Sequence, residues 1–446
     1  MLRGLLCGLP AMMICVLGLV APSAAQTIPP ALSQAPGETA CVMPEEGKSN
    51  PPCRVVPGLW KPSAAVIDRS GRDLYVAAPG ANRVIRLRAE GSSGLVYGDC
   101  IASSSPRCRR GGALNGVADL ALSRDGRWLF ALAPGSGALT LLERDRRTGT
   151  LRFRSCLTTS RTSARRSERC RVTPSLAGAT ALGISADGAT AYVALGDRDA
   201  VVGIRRDGSS LEVLRGPGGC VAAASAARRV GLANCRRANG LGGAVSVDVA
   251  PDGRNVYVAG KDDDAVAILT RSRSGRLQPQ GCVGKSSRGR CRGASALDGP
   301  VDVGVSPDDA NVYAVAVNDR TVTAFSRGTN GALDQIGCYG SGLYVARFCS
   351  PVPQLIAPNA IAVTRAGDAA FLADPASSSV SAFVRAFGGD LAPVAPPEGC
   401  IDAFGSCVAG RGLVGVSSVA IAPNSRIVYA VSPIEQTVAV LLRPGS

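Results

Sequence analysis

Residues 250–258 of this 446-residue chain, APDGRNVYV, decide its fold because the same pattern returns seven times along the sequence. Each copy has a turn residue, an aromatic residue four positions later and an aliphatic residue thirteen positions later. The turn residues are Gly71, Gly126, Gly188, Gly253, Asp309, Gly367 and Ser425. The aromatic–aliphatic pairs are Tyr75 with Val84, Phe130 with Leu139, Tyr192 with Val201, Tyr257 with Val266, Tyr313 with Val322, Phe371 with Val380, and Tyr429 with Val438. In-phase copies of this kind indicate a repeat architecture.

Each copy contains four segments that are typical of β-strands. Large and small residues alternate before the turn, as in LAL at 120–122 and VGV at 303–305, and a period of two predicts a strand. The aromatic residue lies on a second strand, and a polar turn leads to a third, AVAIL at 265–269. A shorter fourth strand follows a glycine, as in GAL at 331–333. Seven such units predict an all-β protein, a seven-bladed β-propeller of four-stranded blades.

The two ends of the chain predict how the ring closes. The last copy reaches its third strand at 437–441, and no fourth strand follows. Residues 31–42 repeat the pattern of a fourth strand followed by a cysteine. We therefore expect this N-terminal segment to complete the last blade, which would remove two exposed sheet edges.

The first 25 residues have the features of a secretory signal peptide. Arg3 precedes an apolar stretch, and small residues precede an expected cleavage near Ala25–Gln26. The apolar stretch is too short to favour a membrane span. We expect a secreted or extracytoplasmic protein without a membrane span, in which residues 26–446 form a single propeller domain.

The cysteines support this localisation. Fourteen cysteines remain after residue 25, and the repeat pairs them locally, one short loop per copy. The expected disulfides are Cys41–Cys53, Cys100–Cys108, Cys156–Cys170, Cys220–Cys235, Cys282–Cys291, Cys338–Cys349 and Cys400–Cys407. A zinc site is disfavoured because the chain has no C-x-x-C and no histidine, so we expect neither a metal nor a cofactor.

Charge gives the main indication of function. The whole chain carries a formal charge of +15, and four of the cysteine loops hold most of the excess. Their candidate ligand-binding residues are Arg107, Arg109, Arg110, Arg161, Arg165, Arg166, Arg169, Arg228, Arg229, Arg236, Arg237, Lys285, Arg288, Arg290 and Arg292. These loops should form a basic arc on one face, over four neighbouring blades, that attracts polyanions in a salt-dependent way. The alternative is a set of solvated loops that reflect an arginine-rich composition.

Three acidic residues break the repeat on the inner strand. Asp119, Asp248 and Asp302 stand where other copies have small or apolar residues. An inner-strand carboxylate can be a catalytic base, a calcium ligand or a hydrogen-bonded core residue, and the last interpretation is favoured. The run Asp262-Asp263-Asp264 is interpreted as a solvated turn.

One further residue type recurs with the repeat. An arginine lies eighteen residues after the turn in six copies. We expect these arginines either to make one repeated bridge or to cover apolar surface. They are Arg144, Arg206, Arg271, Arg327, Arg385 and Arg443.

The repeat resembles the YVTN-type, lactonase-like propeller repeats, whose core reads S-P-D-G-x-x-x-Y-V. Residues 306–313 (SPDDANVY) and 250–258 carry the resemblance, which extends over residues 63–443. It implies a seven-bladed propeller and, for activity, lactone hydrolysis. Enzymes of this family are expected to use histidine with glutamate and arginine, and this chain has no histidine to match.

Three functions follow. The first is a binding module without catalytic activity, whose partner is an anionic envelope polymer or another envelope protein. The second is a lactonase-like hydrolase that acts in the central channel without histidine, through the weak catalytic candidates Asp119, Asp248 and Asp302. The third is a structural envelope protein without a ligand. Nucleic acid is disfavoured because the basic loops lack aromatic residues for stacking, and we expect a monomer.

Overall fold

A computed structural model of the chain describes residues 31–45, 53–91, 94–165, 169–228, 234–285, 291–341 and 348–443. The signal peptide expected at 1–25 lies outside these residues. The described residues form seven small sheets, one for each repeat, and the protein is the all-β seven-bladed propeller that the repeat predicts.

The N-terminal segment and blades 1 to 3 hold the first nineteen strands. The N-terminal strands are β1 (Ser33–Gln34), β2 (Cys41–Met43) and β3 (Arg54–Val55). Blade 1 consists of β4 (Ala64–Ile67), β5 (Asp73–Ala78), β6 (Arg83–Glu90), β7 (Gly94–Ala102) and β8 (Arg109–Arg110). Blade 2 consists of β9 (Asp119–Leu122), β10 (Trp128–Ala133), β11 (Ala138–Arg144), β12 (Leu151–Thr158) and β13 (Cys170–Val172). Blade 3 consists of β14 (Ala179–Ile184), β15 (Thr190–Leu195), β16 (Ala200–Asp207), β17 (Ser210–Val213), β18 (Cys220–Ala223) and β19 (Arg236–Ala238).

The remaining strands form blades 4 to 7. Blade 4 consists of β20 (Ala244–Val249), β21 (Asn255–Gly260), β22 (Ala265–Arg271), β23 (Leu277–Gly284) and β24 (Arg292–Gly293). Blade 5 consists of β25 (Pro300–Val305), β26 (Asn311–Ala316), β27 (Thr321–Arg327), β28 (Leu333–Gly340) and β29 (Ser350–Pro351). Blade 6 consists of β30 (Ala360–Val363), β31 (Ala369–Asp374), β32 (Ser379–Arg385), β33 (Leu391–Pro393), β34 (Cys400–Asp402) and β35 (Val408–Ala409). Blade 7 has β36 (Ser418–Ile421), β37 (Ile427–Ser432) and β38 (Thr437–Leu442).

Among the residues that the structure describes, helical structure is limited to short segments. One α-helix, α1 (Arg161–Arg165), lies in the cysteine loop of blade 2. The 3-10 helices are Gly37–Ala40, Pro79–Ala81, Pro134–Ser136, Pro174–Leu176, Gly196–Arg198, Ala224–Arg228 and Lys261–Asp263. Four of them shape the turn between the second and third strands of blades 1 to 4.

The fourth strands differ from the short segments that the repeat predicts. In blades 4 and 5 the strand is eight residues long and runs to the first cysteine of its loop and beyond it. In blades 3 and 6 it is interrupted, so that β17 and β18, or β33 and β34, pair separately with the third strand. Each blade also has a short outer strand that pairs in parallel with the fourth, as β13 does with β12. Since this outer strand begins at or just after the second cysteine, the disulfide holds it against the sheet.

The ring closes through the N-terminus, as the sequence predicts. Ser33 pairs with Leu442, and Cys41 and Val42 pair antiparallel with Ala439 and Val438. Blade 7 therefore takes its third strand from the C-terminal segment and its outer strands, β1 to β3, from the N-terminal segment. The innermost strands of successive blades contact each other around the whole ring, including the contact between β36 and β4.

The hydrophobic core lies between the blades rather than at one centre. Seven clusters of buried residues each combine residues from two adjacent blades. The repeat aromatics are buried in these clusters; Tyr257 and Phe130, for example, are both 0% exposed. Because aromatic side chains bury large apolar areas, the repeated residue stabilises the contact between one blade and the next.

A repeated hydrogen-bonded bridge links the blades at the turns between the first and second strands. Arg327 of blade 5 donates from Nε to the Tyr257 hydroxyl of blade 4 (2.9 Å) and from Nη1 to the Asp309 carbonyl (3.0 Å). Burial raises the pKa of Tyr257 to about 12, so its hydroxyl stays protonated and donates to the carbonyl of Gly331 (2.8 Å). The same arginine–tyrosine bond joins Arg144 to Tyr75, Arg271 to Tyr192, and Arg385 to Tyr313.

The two remaining arginines of this series follow blades whose repeat aromatic is phenylalanine. The guanidinium of Arg206 lies over the ring of Trp128, 4.7 Å from its centroid. Arg443 forms an ion pair with Asp368 at 2.6 Å. Arg327 and Arg385 make an equivalent ion pair with the turn of the preceding blade, through Asp252 and Asp308, in addition to the tyrosine bond. The predicted repeated bridge is confirmed, and a tyrosine hydroxyl adds to it where that hydroxyl is present.

Candidate functional site: the central channel and the disulfide-loop face

The three inner-strand carboxylates join neighbouring blades. Asp119 accepts hydrogen bonds from the backbone N–H of Leu120 in its own strand and of Leu182 in blade 3, both at 2.8 Å. Asp248 does the same with Val249 and with Val305 of blade 5, again at 2.8 Å. Each carboxylate therefore satisfies an N–H group on the channel edge of the next inner strand.

Asp302 has the most complete set of partners. It accepts from Val303 N–H (2.9 Å) and from Ile361 N–H of blade 6 (3.0 Å). The Ser246 hydroxyl of blade 4 donates to the same carboxylate at 2.8 Å. Asp302 thus links blades 4, 5 and 6.

Burial shifts the acidity of all three groups. Desolvation raises the pKa of Asp119 and of Asp248 to about 6, and the backbone hydrogen bonds oppose the shift. The charge of Asp302 raises both values further, which places the three groups within electrostatic reach of one another. Desolvation also raises the pKa of Asp302.

The carboxylates nevertheless point at different blades. Both oxygens of each group accept from backbone N–H groups, which is the arrangement of a structural carboxylate. Among the described residues, no group of three or more histidine, cysteine, aspartate or glutamate side chains is placed to hold a metal ion.

The acidic turn at 262–264 also serves the backbone. Asp263 accepts from the N–H of Gly242 (2.8 Å), and Asp264 accepts from the N–H of Gly299 in the next connection (2.9 Å). The turn therefore holds loops in place on the face where the cysteine loops lie.

The seven predicted disulfides are all present. Each joins the fourth strand of a blade to its short outer strand, and the paired Cα atoms lie between 4.4 and 5.2 Å apart. These loops leave the sheets at the same end as the turns between the second and third strands. We call this end of the ring the loop face; the turns between the third and fourth strands lie at the opposite end.

The arginine that follows the second cysteine often reaches the next blade. Arg292 forms an ion pair with Asp334 of blade 5, and Arg171 donates to the Leu211 carbonyl of blade 3. Arg54 pairs in the same way with Glu90 of blade 1 (2.5 Å). Of the candidate ligand-binding residues, Arg292 is therefore engaged in a contact between blades.

Lys285 is also engaged by protein groups. It forms an ion pair with Asp298 (2.5 Å) and lies 3.7 Å from Asp319. This bonding raises the pKa of Lys285 and lowers that of Asp298. The basic contribution of blade 4 is thus balanced locally among its described residues.

A groove between blades 1 and 2, lined mostly by residues of the loop face, has a volume of about 1050 Å³. Arg109 and Arg110 line one side, where β8 pairs with β7, and Arg169 of the blade 2 loop lines the other. Arg152 on β12 is the fourth arginine. The groove has no aspartate or glutamate among the described residues that line it.

Local geometry explains how the groove is built. Arg169 donates from Nη1 to the Phe153 carbonyl at 3.5 Å. The Phe153 ring packs on Gly112, whose φ of +72° and lack of a side chain allow the approach, since a Cβ there would lie 2.4 Å from the ring. Glu143, the cross-strand neighbour of Arg152, is paired with Arg127 and Arg154, so its charge is already balanced.

The groove brings together three of the candidate arginines, Arg109, Arg110 and Arg169. Arg107, Arg161, Arg165 and Arg236 are exposed elsewhere on the same face, and Arg237 is half-buried. Arg166, Arg229, Arg288 and Arg290 lie outside the described residues, and only the backbone of Arg228 is described. Arg152 and Phe153 are absent from the sequence-based set because they lie on a strand and meet the groove only through blade packing.

Within the described part of the chain, no helix is long and apolar enough to cross a membrane. The seven disulfides indicate an oxidising environment outside the cytoplasm.

No protein-family model matches the sequence, and no curated protein matches it. Solved structures do match. A periplasmic gluconolactonase of Pseudomonas aeruginosa is 17% identical with a TM-score of 0.53, over 78% of this chain and 87% of that one. A 6-phosphogluconolactonase-like protein of Bacteroides fragilis is 15% identical with a TM-score of 0.52, over 75% and 83%.

A third similar structure is the Swd1 β-propeller domain of Myceliophteria thermophila, 11% identical with a TM-score of 0.55, over 85% of this chain and 96% of that domain. At these identities the likeness concerns the fold alone. It confirms that the chain has the architecture of the lactonase-like propellers that its repeat resembles.

Proposed function

We propose that this propeller is an extracytoplasmic binding module for a polyanion, with the arginine groove between blades 1 and 2 as its main site. The observation that carries the proposal is the lining of the groove, where Arg109, Arg110, Arg152 and Arg169 occur without an acidic residue among the described lining residues. Guanidinium groups present planar donors that match phosphate and carboxylate groups. The volume of the groove, about 1050 Å³, exceeds that of most small-molecule sites, and a groove of this size suits a polymer segment.

The way the groove is held also supports binding. The Cys100–Cys108 disulfide lies beside β8, which supplies Arg109 and Arg110, and Cys156–Cys170 closes the loop that supplies Arg169. A site that is ordered before binding loses less conformational entropy when the ligand arrives. The exposed arginines at 107, 161, 165 and 236 extend positive charge over blades 1 to 3 and would attract an anionic chain toward the groove.

The experiment measures binding of the purified protein to inorganic polyphosphate and to polygalacturonate over a salt series. We expect affinity to fall steeply as salt rises, because binding releases counterions from the polymer. The variant Arg109→Gln/Arg152→Gln should bind about tenfold more weakly at low salt, with a shallower salt dependence.

A matched control lies on the opposite end of the ring. Arg146 and Arg147 are exposed in a turn between third and fourth strands, and Arg146→Gln/Arg147→Gln removes the same charge. This control should bind almost as well as the unaltered protein. Equal losses of affinity in the two variants would mean that net charge alone, and not the groove, determines binding. An absence of binding at low salt would contradict the proposal.

A second candidate function is lactone hydrolysis in the channel, which the likeness to a periplasmic gluconolactonase favours. The pKa of about 6 for Asp119 and Asp248 suits a general base. Their backbone hydrogen bonds argue for a structural role instead, since both oxygens of each group are already occupied. Turnover of gluconolactone that is lost in Asp119→Ala would support hydrolysis over binding alone.

A further inference from the structure

Over blades 5 to 7, the loop face carries exposed apolar side chains instead of the arginines of blades 1 to 3. Four large apolar side chains protrude there: Phe348 (76% exposed), Ile356 (46%), Phe404 (71%) and Ile434 (71%). Phe348 and Phe404 lie in the cysteine loops of blades 5 and 6, and Ile434 lies in the turn between the second and third strands of blade 7. Exposed apolar residues gathered on one side of a protein indicate an interaction site.

The segments that carry Ile356, Phe404 and Ile434 are held by hydrogen bonds to carboxylates. Phe404 lies inside the loop closed by Cys400–Cys407, where the buried carboxylate of Asp402 accepts from the N–H groups of Gly405 (2.7 Å) and Ser406 (2.8 Å). The protruding side chain is therefore presented by an ordered backbone.

Buried or bonded carboxylates hold the neighbouring loops in the same way. Asp374, which is fully buried, accepts from the Ile356 N–H at 2.6 Å. Glu435 accepts from the Val414 N–H at 2.9 Å, and its neighbour Ile434 lies against Gly415. Together with Asp402, these carboxylates accept hydrogen bonds from backbone N–H groups and so fix the segments that present Ile356, Phe404 and Ile434.

We propose that the loop face docks on an anionic lipid surface, with Phe348, Ile356, Phe404 and Ile434 entering the interfacial region and the arginine loops contacting headgroups. The inference rests on the proposed function for the charged half of the face and adds a lipid partner through the apolar half. Separate apolar side chains at loop tips suit insertion between lipids, and neighbouring basic residues add attraction to anionic headgroups. Exposed Arg320, on the blade 5 turn, continues the positive charge into the apolar half.

The test is co-sedimentation of the full chain with vesicles of phosphatidylcholine, with and without phosphatidylglycerol. We expect binding only to the vesicles that contain phosphatidylglycerol, and weaker binding at high salt. The variant Phe404→Ser/Ile434→Ser should lose about tenfold or more in vesicle affinity while its polyphosphate affinity is unchanged.

The chain offers a control with the same chemistry. Phe387 is fully exposed in a turn at the opposite end of the ring, and Ile336 is 39% exposed on β28. The variant Ile336→Ser/Phe387→Ser should bind vesicles like the unaltered protein. The inference is overturned if this control loses as much affinity as Phe404→Ser/Ile434→Ser, or if the unaltered protein does not bind anionic vesicles.

The two proposals fail in different ways. If polyphosphate binding is absent in every protein but vesicle binding still depends on Phe404 and Ile434, the proposed function fails and the docking inference stands. If Phe404→Ser/Ile434→Ser loses polyphosphate and vesicle binding together, the docking inference is overturned, because the apolar residues would then serve general ligand binding or folding.

Discussion

At the scale of single residues, the inner-strand carboxylates stabilise an edge that would otherwise expose backbone N–H groups to the channel. Asp119, Asp248 and Asp302 each accept from a neighbouring blade, so the bonds cross the seams of the ring. The energetic cost of such a group is its desolvation, which appears as a raised pKa. These residues therefore connect the blades and make the stability of the ring depend on pH.

Asp248 should make the stability of the protein depend on pH. Its folded pKa of about 6 lies above the unfolded value of about 4, so the folded state binds more protons in this window. The contribution of Asp248 to stability is therefore largest below pH 4 and falls as pH rises to 6. The stability advantage of the unaltered protein over Asp248→Ala should shrink by on the order of 2 kcal/mol between pH 4 and pH 7, measured by urea unfolding.

Asp125 provides a control, because its contribution to stability should change with pH in the opposite direction. Hydrogen bonds from Ser123 and the Arg127 backbone lower its pKa, although burial opposes them. Its contribution is present above the unfolded pKa and is lost as pH falls. The advantage of the unaltered protein over Asp125→Ala should thus grow with pH, and a pH-independent difference for Asp248→Ala would contradict the assignment of its pKa shift.

At the scale of elements, the N-terminal segment replaces the strands that the last repeat lacks. β2 pairs with β38, and Val42 lies in the cluster between blades 7 and 1, where it is 1% exposed. Pairing and burial of this segment therefore hold the seam at which the two ends of the chain meet.

Val42→Asp should open this seam. An unpaired carboxylate would enter an apolar cluster, and we expect the free energy of unfolding to fall by about 3 kcal/mol or more. Val55, on the adjacent β3, is 48% exposed, so Val55→Asp should change stability by about 0.5 kcal/mol or less. Denaturant unfolding with limited proteolysis of the N-terminal segment measures both; equal effects would argue against closure by β2.

The sequence predicts those elements whose residues repeat in register. The turn, aromatic and aliphatic positions identify the first three strands, and the cysteine spacing identifies every disulfide. The sequence does not predict the outer strands, because a two-residue strand such as Arg109–Arg110 has no periodicity and depends on the disulfide beside it. Nor does the sequence predict that Arg152 joins Arg169 in one groove, since blade packing, rather than spacing along the chain, brings them together.

At the scale of the whole molecule, closure changes how the repeats unfold. In an open array each repeat contacts only its neighbours, and the terminal repeats unfold most easily. Here the contact between β36 and β4 gives every blade two neighbours, and core clusters fill all seven seams. Loss of any one blade would expose two apolar surfaces at once, which disfavours partly unfolded states.

We therefore predict that residues 26–446 unfold as one unit. Differential scanning calorimetry should show one transition with equal calorimetric and van't Hoff enthalpies. Val42→Asp opens the seam, so blades at a free end can unfold separately. This variant should therefore lower the ratio of the van't Hoff enthalpy to the calorimetric enthalpy, whereas Val55→Asp should leave the ratio unchanged. Two transitions in the unaltered protein would divide the chain into separate domains. A single transition would instead mean that the charged and apolar halves of the loop face belong to one rigid body, so a ligand or membrane bound by either half would stabilise the whole ring.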